Sequence, residues 1–420
     1  MVHNPAPSFL PPVLARAIDA AKRRVPTLRK DGGTAVSACR AEATVPDSVD
    51  CWRTPWNEKL HRSIVPSIRF QPHGGPLAIG CGGLEETEPG SVIVSSGRGE
   101  PSRNLTTASA ILSVAFSRDG SRLGASFGTS VRVWDTKTWE VVAEELTHSG
   151  TVYCVAFSQN GKMLASALST NSVVVFSATN WERLVALSHS DSIYAIDFSP
   201  DSKTLAAGSY DSTALVYDTC TWECMRTLAN HSIVFAVVFA PDGNLLATVA
   251  LEFVVSIWDT TTWDRKYELT HADWVYDVAF SPMGTEFATA SKDNLIYVWE
   301  AKSGQLLLAL KGHSDDVRSL DYSPCGNLLA SSAADGRVIV FSKPRFLLHQ
   351  ALRTTQARLG ILERSNRAVM VAAGGTPNCS ECSNRHAFWI ERVCSTLYLP
   401  KPAISAVFHF LVHDIPKARW

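Results

Sequence analysis

The sequence predicts an all-β protein in which four-stranded sheets stand radially around a closed ring, a seven-bladed β-propeller. Three interleaved aromatic series predict it. The first, Phe116, Phe157, Phe198, Phe239, Phe280 and Tyr322, recurs at intervals of 41, 41, 41, 41 and 42 residues, within the segments VAFSRDG, VAFSQNG, IDFSPDS, VVFAPDG, VAFSPMG and LDYSPCG. The second, Trp134, Phe176, Tyr217, Trp258, Trp299 and Phe341, is spaced 42, 41, 41, 41 and 42. The third, Trp139, Trp181, Trp222 and Trp263, is spaced 42, 41 and 41. One period in three registers marks a structural repeat of blade size.

Each unit reads as four strands. Segments such as VYCVAF and VYDVAF alternate and are rich in β-branched and aromatic residues, which suits a first strand. A Ser-Pro-Asp-Gly-like turn follows, in which Gly supplies positive φ. A second strand such as LLATVA, a third such as VRVWD or VSIWD, and a fourth at the Thr-Trp-Glu segment complete the unit. Upstream, SIRFQPHGG around Phe70 and SVIVSS at 91–96 add a seventh blade, with an odd loop at 83–90. His61 precedes Phe70 by nine residues, the spacing also held by His148, His189, His271 and His313 before their own aromatics. Trp52 precedes His61 by nine residues, so 52–60 reads as a fourth strand with no first three before it. The unit at 313–342 has three strands and lacks a fourth, so 52–60 is expected to close it and to leave no open sheet edge. Blades are expected near 61–103, 107–147, 148–188, 189–230, 231–270, 271–312 and 313–342. An N-terminal extension, 1–50, precedes the propeller at 51–342, and a basic, partly helical tail, 343–420, follows it.

The units resemble WD40 repeats. The Trp-Asp pair stands at Trp134-Asp135 and Trp258-Asp259, with Tyr217-Asp218 and Trp299-Glu300 as variants, and Gly-His stands intact at Gly312-His313. Elsewhere the His alone is kept, at His148, His189, His231 and His271. The resemblance implies a hydrogen-bonded set of His, Ser, Asp and Trp in each blade. Blade six matches it in full, with His271, Ser291, Asp293 and Trp299; blade four has His189, Ser209 and Asp211 with Tyr217 for Trp; blade seven has His313 and Asp335, with Ala333 and Phe341 elsewhere. Gly128, Thr170 and Glu252 take the Asp place in blades two, three and five, so blades four, six and seven are expected to be the stiffest. These polar residues recur with the blades, which is the mark of structural support rather than catalysis.

Composition agrees with a globular, non-membrane protein: 45% hydrophobic, 19% charged, net charge −1. No run of apolar residues is long enough for a membrane helix, and the overall charge gives no general attraction to nucleic acid or anionic membrane. Charge is uneven, however. Residues 1–50 carry seven basic and five acidic side chains and 343–420 carry eleven and four, which leaves 51–342 at −10. The N-terminus shows no apolar leader, only a short basic helical pattern from Val13 to Arg24, so the cytoplasm, with the nucleus as second place, and reduced thiols for the ten cysteines are expected.

Two enzyme-like signals are present. Gly124-Ala-Ser-Phe-Gly128 matches a hydrolase nucleophile elbow, but a strand rather than a helix follows it, and Ser126 falls at a structural position of its blade. In the tail, Cys379, Cys382, His386 and Cys394 have the number and softness for tetrahedral zinc, at a spacing that no common module uses; a Cys-containing loop is the competing reading. No catalytic residue and no cofactor are expected.

Through the resemblance, strand one of each blade lines a central channel, and the position four before the repeat aromatic lies near its mouth. Tyr153, Tyr194, Phe235 and Tyr276 hold that position at intervals of 41, followed by Arg318, with Leu112 and Pro66 in the second and first blades. Trp274 and Asp316 stand two positions earlier in their blades. Aromatic residues and Arg are what interface hot spots favour. Simple alternation along the strand instead puts Tyr153 on the side of Val155 and Phe157, where it would pack between blades. Both readings stay open. An aromatic half-ring on an acidic body suits other proteins or a basic peptide, bound by a monomeric scaffold. The alternative is a substrate receptor of a cullin-type ubiquitin ligase, suggested by Trp134-Asp135-Thr136-Lys137 and weakened by Gly128; a hydrolase is a remote third.

Overall fold

The computed structural model describes residues 53–59, 65–82, 89–95 and 103–343, apart from 144 and 252. Two compact units divide the chain, Met1–Leu348 and His349–Trp420, and all described residues belong to the first. The expectations for 1–50, His61, the tail and its Cys379, Cys382, His386 and Cys394 cluster therefore lie outside the described residues.

Seven four-stranded antiparallel sheets make up the described chain. Blade one is Ser67–Phe70, Leu77–Cys81, Ser91–Ser95 and Arg103–Thr106; blade two is Ile111–Phe116, Arg122–Phe127, Ser130–Asp135 and Leu146–Thr147. Blades three to six begin at Val152–Phe157, Ile193–Phe198, Val234–Phe239 and Val275–Phe280. Blade seven takes three strands from Val317–Tyr322, Leu328–Ala333 and Arg337–Ser342. Its fourth is Arg53–Lys59, which pairs antiparallel with Arg337–Ser342. The chain thus enters and leaves the ring through one sheet.

Strand periodicity sets the core. One face of each sheet packs on the next blade, and a buried apolar cluster lies between every pair of neighbours. The cluster between blades five and six, for example, holds Val249, Ile257, Val278 and Phe287. Small residues on strand two let the next blade approach: a Cβ at Gly208 would stand 2.6 Å from Val234 Cγ1, and one at Gly80 would stand 2.7 Å from Ile111 Cγ2. The Ser-x-Asp-Gly signature is a turn locked by its own side chains. Ser117 Oγ donates to Asp119 Oδ1 at 2.6 Å and accepts the Arg122 N–H at 2.9 Å. Ser199 and Asp201 repeat the arrangement.

The Trp series closes the turn between strands three and four, in left-handed backbone. Trp139, Trp181, Trp222 and Trp263 have φ of 62°, 61°, 63° and 62°, a conformation that costs an L-residue roughly 1–2 kcal/mol. Packing offsets it, because each indole lies against a buried cluster between two blades. The Arg103 and Arg122 guanidiniums cover Trp139 and Trp181 at 5.6 and 5.1 Å. At the same place in blade six Gly304 (φ 71°) leaves room for the Tyr267 ring.

The inner strands have no strand partner on their channel side. At five of the seven junctions N–H groups of the inner strand are met by side chains from the preceding blade. Ser67 Oγ accepts from Val114 at 3.2 Å, Ser113 Oγ from Val155 at 3.3 Å, Asp197 Oδ2 from Phe239 at 2.8 Å and Asp277 Oδ2 from Leu320 at 3.0 Å. Blade seven closes on blade one in the same way. Ser319 Oγ accepts from Ile68 at 3.4 Å and Asp321 Oδ2 from Phe70 at 2.6 Å. Replacing Asp321→Ala strands the partly buried Phe70 N–H at this joint, and urea denaturation is expected to show a loss of about 1–3 kcal/mol. Deleting residues 1–60 removes the fourth strand of blade seven, and the truncated chain is expected to aggregate rather than unfold reversibly on heating.

Candidate functional site

The seven first strands surround a channel of about 410 Å³, lined at its ends by residues such as Pro66, Tyr153, Tyr194, Phe235, Tyr276 and Arg318. In blades two to seven the pairing of strand one with strand two slips by one residue. Val152 pairs with Leu168 and Cys154 with Ala167, so Tyr153 is the extra residue of a β-bulge. The skipped residues in the other blades are Leu112, Tyr194, Phe235, Tyr276 and Arg318. A bulge resets alternation and re-aims the extra side chain. Val152, Val155 and Phe157 are all buried against the blade interface, whereas Tyr153 is only partly buried. The shared side that simple alternation assigns to Tyr153 and Val155 is thereby corrected.

The re-aimed rings make one arc. Tyr153 stacks on Tyr194 with centroids 4.8 Å apart, Tyr194 meets Phe235 at 5.4 Å, and Phe235 meets Tyr276 edge-on at 6.5 Å. The Arg318 guanidinium lies 4.1 Å over Tyr276 and bonds Asp316 Oδ2 at 2.9 Å; the Tyr276 hydroxyl donates to the same oxygen at 3.1 Å. Trp274 joins Tyr194, Ile233 and Leu251 in a cluster at this end, with Lys292 4.0 Å over its ring. The seven residues singled out in sequence are thus in one place, and they pack on one another as well as facing the channel. Tyr194 and Trp274 are the most enclosed, each at 9% exposure, and burial pushes the Tyr194 hydroxyl pKa well above the ordinary value.

Below the arc the channel wall is charged. Arg69 lies 3.8 Å from Asp277 and donates to Ser319 Oγ at 3.1 Å. Burial works against its charge, but Asp277 and Asp321 outweigh that, so its pKa stands above the ordinary value. Burial pushes the Asp197 carboxyl up to about 7 and the Asp321 carboxyl up to about 6, in each case against the pull of Arg69 and a backbone N–H. Three acidic groups thus share one guanidinium, and burial favours the protonated form of two of them.

The outer polar sets differ from their sequence outline in one respect. The hydroxyl that joins His271 to Trp299 belongs to Thr289, at 2.8 and 3.0 Å, two residues before Ser291. Ser291 and Asp293 instead serve the neighbouring turn: Ser291 Oγ accepts the Asp293 N–H, and Asp293 accepts the Leu295 N–H and the Tyr297 hydroxyl. In blade seven His313 bonds Ser331 Oγ at 2.7 Å and Asp335 at 3.2 Å. In blade four the equivalent position is Ala207, so His189 is left 3.7 Å from Asp211 with neither ring nitrogen hydrogen-bonded among the described residues. Ser209 Oγ there donates to the Asp191 and Ser192 carbonyls. Blade five has a set that the sequence outline missed. Trp258 Nε1 donates to Thr248 Oγ1 at 2.9 Å, which donates to Asn230 Oδ1 at 2.6 Å. The signal was available: Asn230, not His231, stands nine residues before Phe239.

A family model described as "WD domain, G-beta repeat" matches residues 99–135, 139–177, 181–218, 222–259, 263–300 and 304–342, together more than half of the chain. The chain belongs to the WD40 family. Each match ends on the third strand of a blade and begins in the outer part of the blade before it, so the WD40 sequence unit and the sheet are offset by one strand. The first three strands of blade one, Ser67–Phe70, Leu77–Cys81 and Ser91–Ser95, lie outside the family matches although their sheet has the same four-stranded form. No curated protein matches the sequence at a significant level.

Within the WD40 frame the hydrolase-like signal dissolves. Ser126 lies inside strand two of blade two, fully buried, and its Oγ accepts the Ser113 N–H at 3.1 Å. The elbow's strand-to-helix turn does not occur there. No helix among the described residues is long and apolar enough to cross a membrane.

The hydroxyl-linked sets in blades five, six and seven, and His189 with neither nitrogen bonded, move the expected order of stiffness. Hydrogen exchange is expected to be slowest in the third strands of blades five to seven, with blade four faster. Thr289→Val should cost about 1–3 kcal/mol by leaving the buried Trp299 Nε1–H and His271 Nε2 without their partner. Burial holds His271 neutral, with its pKa pushed down to about 4. Its contribution to stability is therefore complete above the free His value near 6.5 and is lost as pH falls towards 4. His271→Asn, which copies Asn230 of blade five, should flatten the fall of Tm across that window.

Proposed function

We propose that this WD40 propeller is a protein-interaction scaffold that binds a basic peptide segment of a partner across the arc from Tyr153 to Arg318. The observation that carries it is the β-bulge repeated in six blades. It turns Tyr153, Tyr194, Phe235 and Tyr276 out of alternation and towards the channel mouth. Packing between blades alone does not require a bulge, since Val152 and Val155 already fill the interface.

Charge supports a cationic partner. Asp191, Asp273, Asp315 and Asp316 lie in the loops at this end, and Asp197, Asp277 and Asp321 line the channel beneath. Of the cations present, Arg69 and Arg318 are held by carboxylates, Lys292 lies over Trp274, and Arg118 also lines the channel. An Arg or Lys side chain gains both the ring faces and the carboxylates of the mouth loops. The ligase-receptor alternative has less to stand on. In Trp134-Asp135-Thr136-Lys137 the Asp135 carboxylate is used within its own turn, by the Lys137 and Thr138 N–H groups, and Asp218 and Asp259 do the same.

Tyr153 and Arg318 are partly exposed, so they test the reading better than the enclosed Tyr194. In anisotropy titrations with Lys- and Arg-bearing peptides, Tyr153→Ala and Arg318→Ala are each expected to change affinity at least about tenfold while moving Tm little. Unchanged binding in both variants, or a large drop in Tm in both, would favour a purely structural arc.

A further inference from the structure

The turn between strands two and three passes through left-handed backbone in six blades. Its residues are Gly128, Asn171, Ser212, Phe253, Asn294 and Gly336, with φ of 50°, 60°, 69°, 65°, 71° and 72°. Five of the six are residues that tolerate this region or are small and polar. Phe253 is neither, and a bulky side chain at positive φ is an outlier. The four Trp residues at positive φ recover the strain by packing into the clusters between blades. Phe253 belongs to none of the buried clusters among the described residues, and 37% of it is exposed. Strain that the fold does not recover points to a role outside the fold.

Its position gives the role. Turns between strands two and three lie at the same end of the blades as the loops leading into strand one, where the arc sits. The Phe253 carbonyl accepts the His271 N–H at 2.8 Å, and the Leu251 N–H donates to the Ile233 carbonyl at 2.9 Å. Leu251 packs with Ile233, Trp274 and Tyr194. The Phe253 turn is therefore tied by backbone hydrogen bonds to the loops at Ile233 and His271, at the same end of the blade as the arc.

We propose that Phe253 is an apolar anchor for the partner, so that the bound segment carries a large apolar side chain near its basic residue. This deepens the basic-peptide reading and rests on it. The cation is set by the carboxylates of the mouth loops; the apolar residue is set by the exposed Phe253 ring. Strain is retained at Phe253 because an exposed ring there adds contact area that the Asn or Gly of other blades cannot supply.

The test uses the full chain and paired synthetic peptides, each with one Arg or Lys and, one to four residues away, either Leu or Phe in one member and Ser in the other. The wild-type protein should prefer the apolar member by about tenfold. Phe253→Asn, which installs the residue of blades three and six, should lose that preference, keep the dependence on Arg or Lys, and hold or slightly raise Tm because the strain is relieved. Preference retained in Phe253→Asn would overturn the inference, as would a fall in Tm beyond about 4 °C, which would make Phe253 a packing residue. Basic peptides bound with no apolar preference by the wild type would sink the anchor and leave the mouth reading intact. Failure of any basic peptide to bind would remove both.

Discussion

The inner edge of each sheet is the constraint on which the molecule depends. A strand facing a channel has N–H groups that no further strand can meet, and an unmet buried donor is costly. Here blades one, two, four, six and seven lend an acceptor to the next, from Ser67, Ser113, Asp197, Asp277, Ser319 and Asp321, whereas in blade three Cys154 instead faces the Ile196 carbonyl. At the junction of blades five and six, Ala236 and Val238 stand at the equivalent positions, and a large apolar cluster makes the contact instead. The acceptors that close the ring are also what charges the channel. Asp197 and Asp321 are carboxylates for the sake of neighbouring backbone, and their burial makes them unusually basic.

Backbone irregularity is used in three distinct ways. The bulge in strand one re-aims side chains without breaking the sheet. The Trp residues at positive φ trade strain for contact with the neighbouring blade. Phe253 takes the same strain with no such return inside the fold. Only comparison across blades separates these cases, because each residue viewed alone is simply an aromatic in a turn or strand.

Most of the fold was legible in the sequence, because a period of 41 residues in three registers fixes blade and strand order and the closing strand follows from an unpartnered fourth-strand pattern. The residues of the arc were legible for the same reason. Their direction was not: a bulge inserts nothing into the sequence period, so alternation counted from Phe157 gave Tyr153 the wrong side. The polar sets were partly misread because Ser291 and Thr289 are both small hydroxyl residues on one strand, and only the geometry selects the one facing His271 and Trp299. Asn230 was hidden by the more familiar His231 beside it, which instead pairs with Glu268 on the surface. Blade one is the hardest to see, since it keeps the strand pattern of its neighbours but few of their marker residues.

The pairing of Arg53–Lys59 with Arg337–Ser342 has a consequence for the order of events in synthesis. The segment made first must wait, unpaired, until nearly three hundred further residues have emerged. Its contact is the most distant in sequence of any in the sheet system, and loop closure over that span is slow. Six blades can assemble locally as the chain lengthens, while the seventh cannot form until both ends meet. The finished ring is therefore gated by its last blade, and a nascent chain displays an unsatisfied strand edge for most of its production.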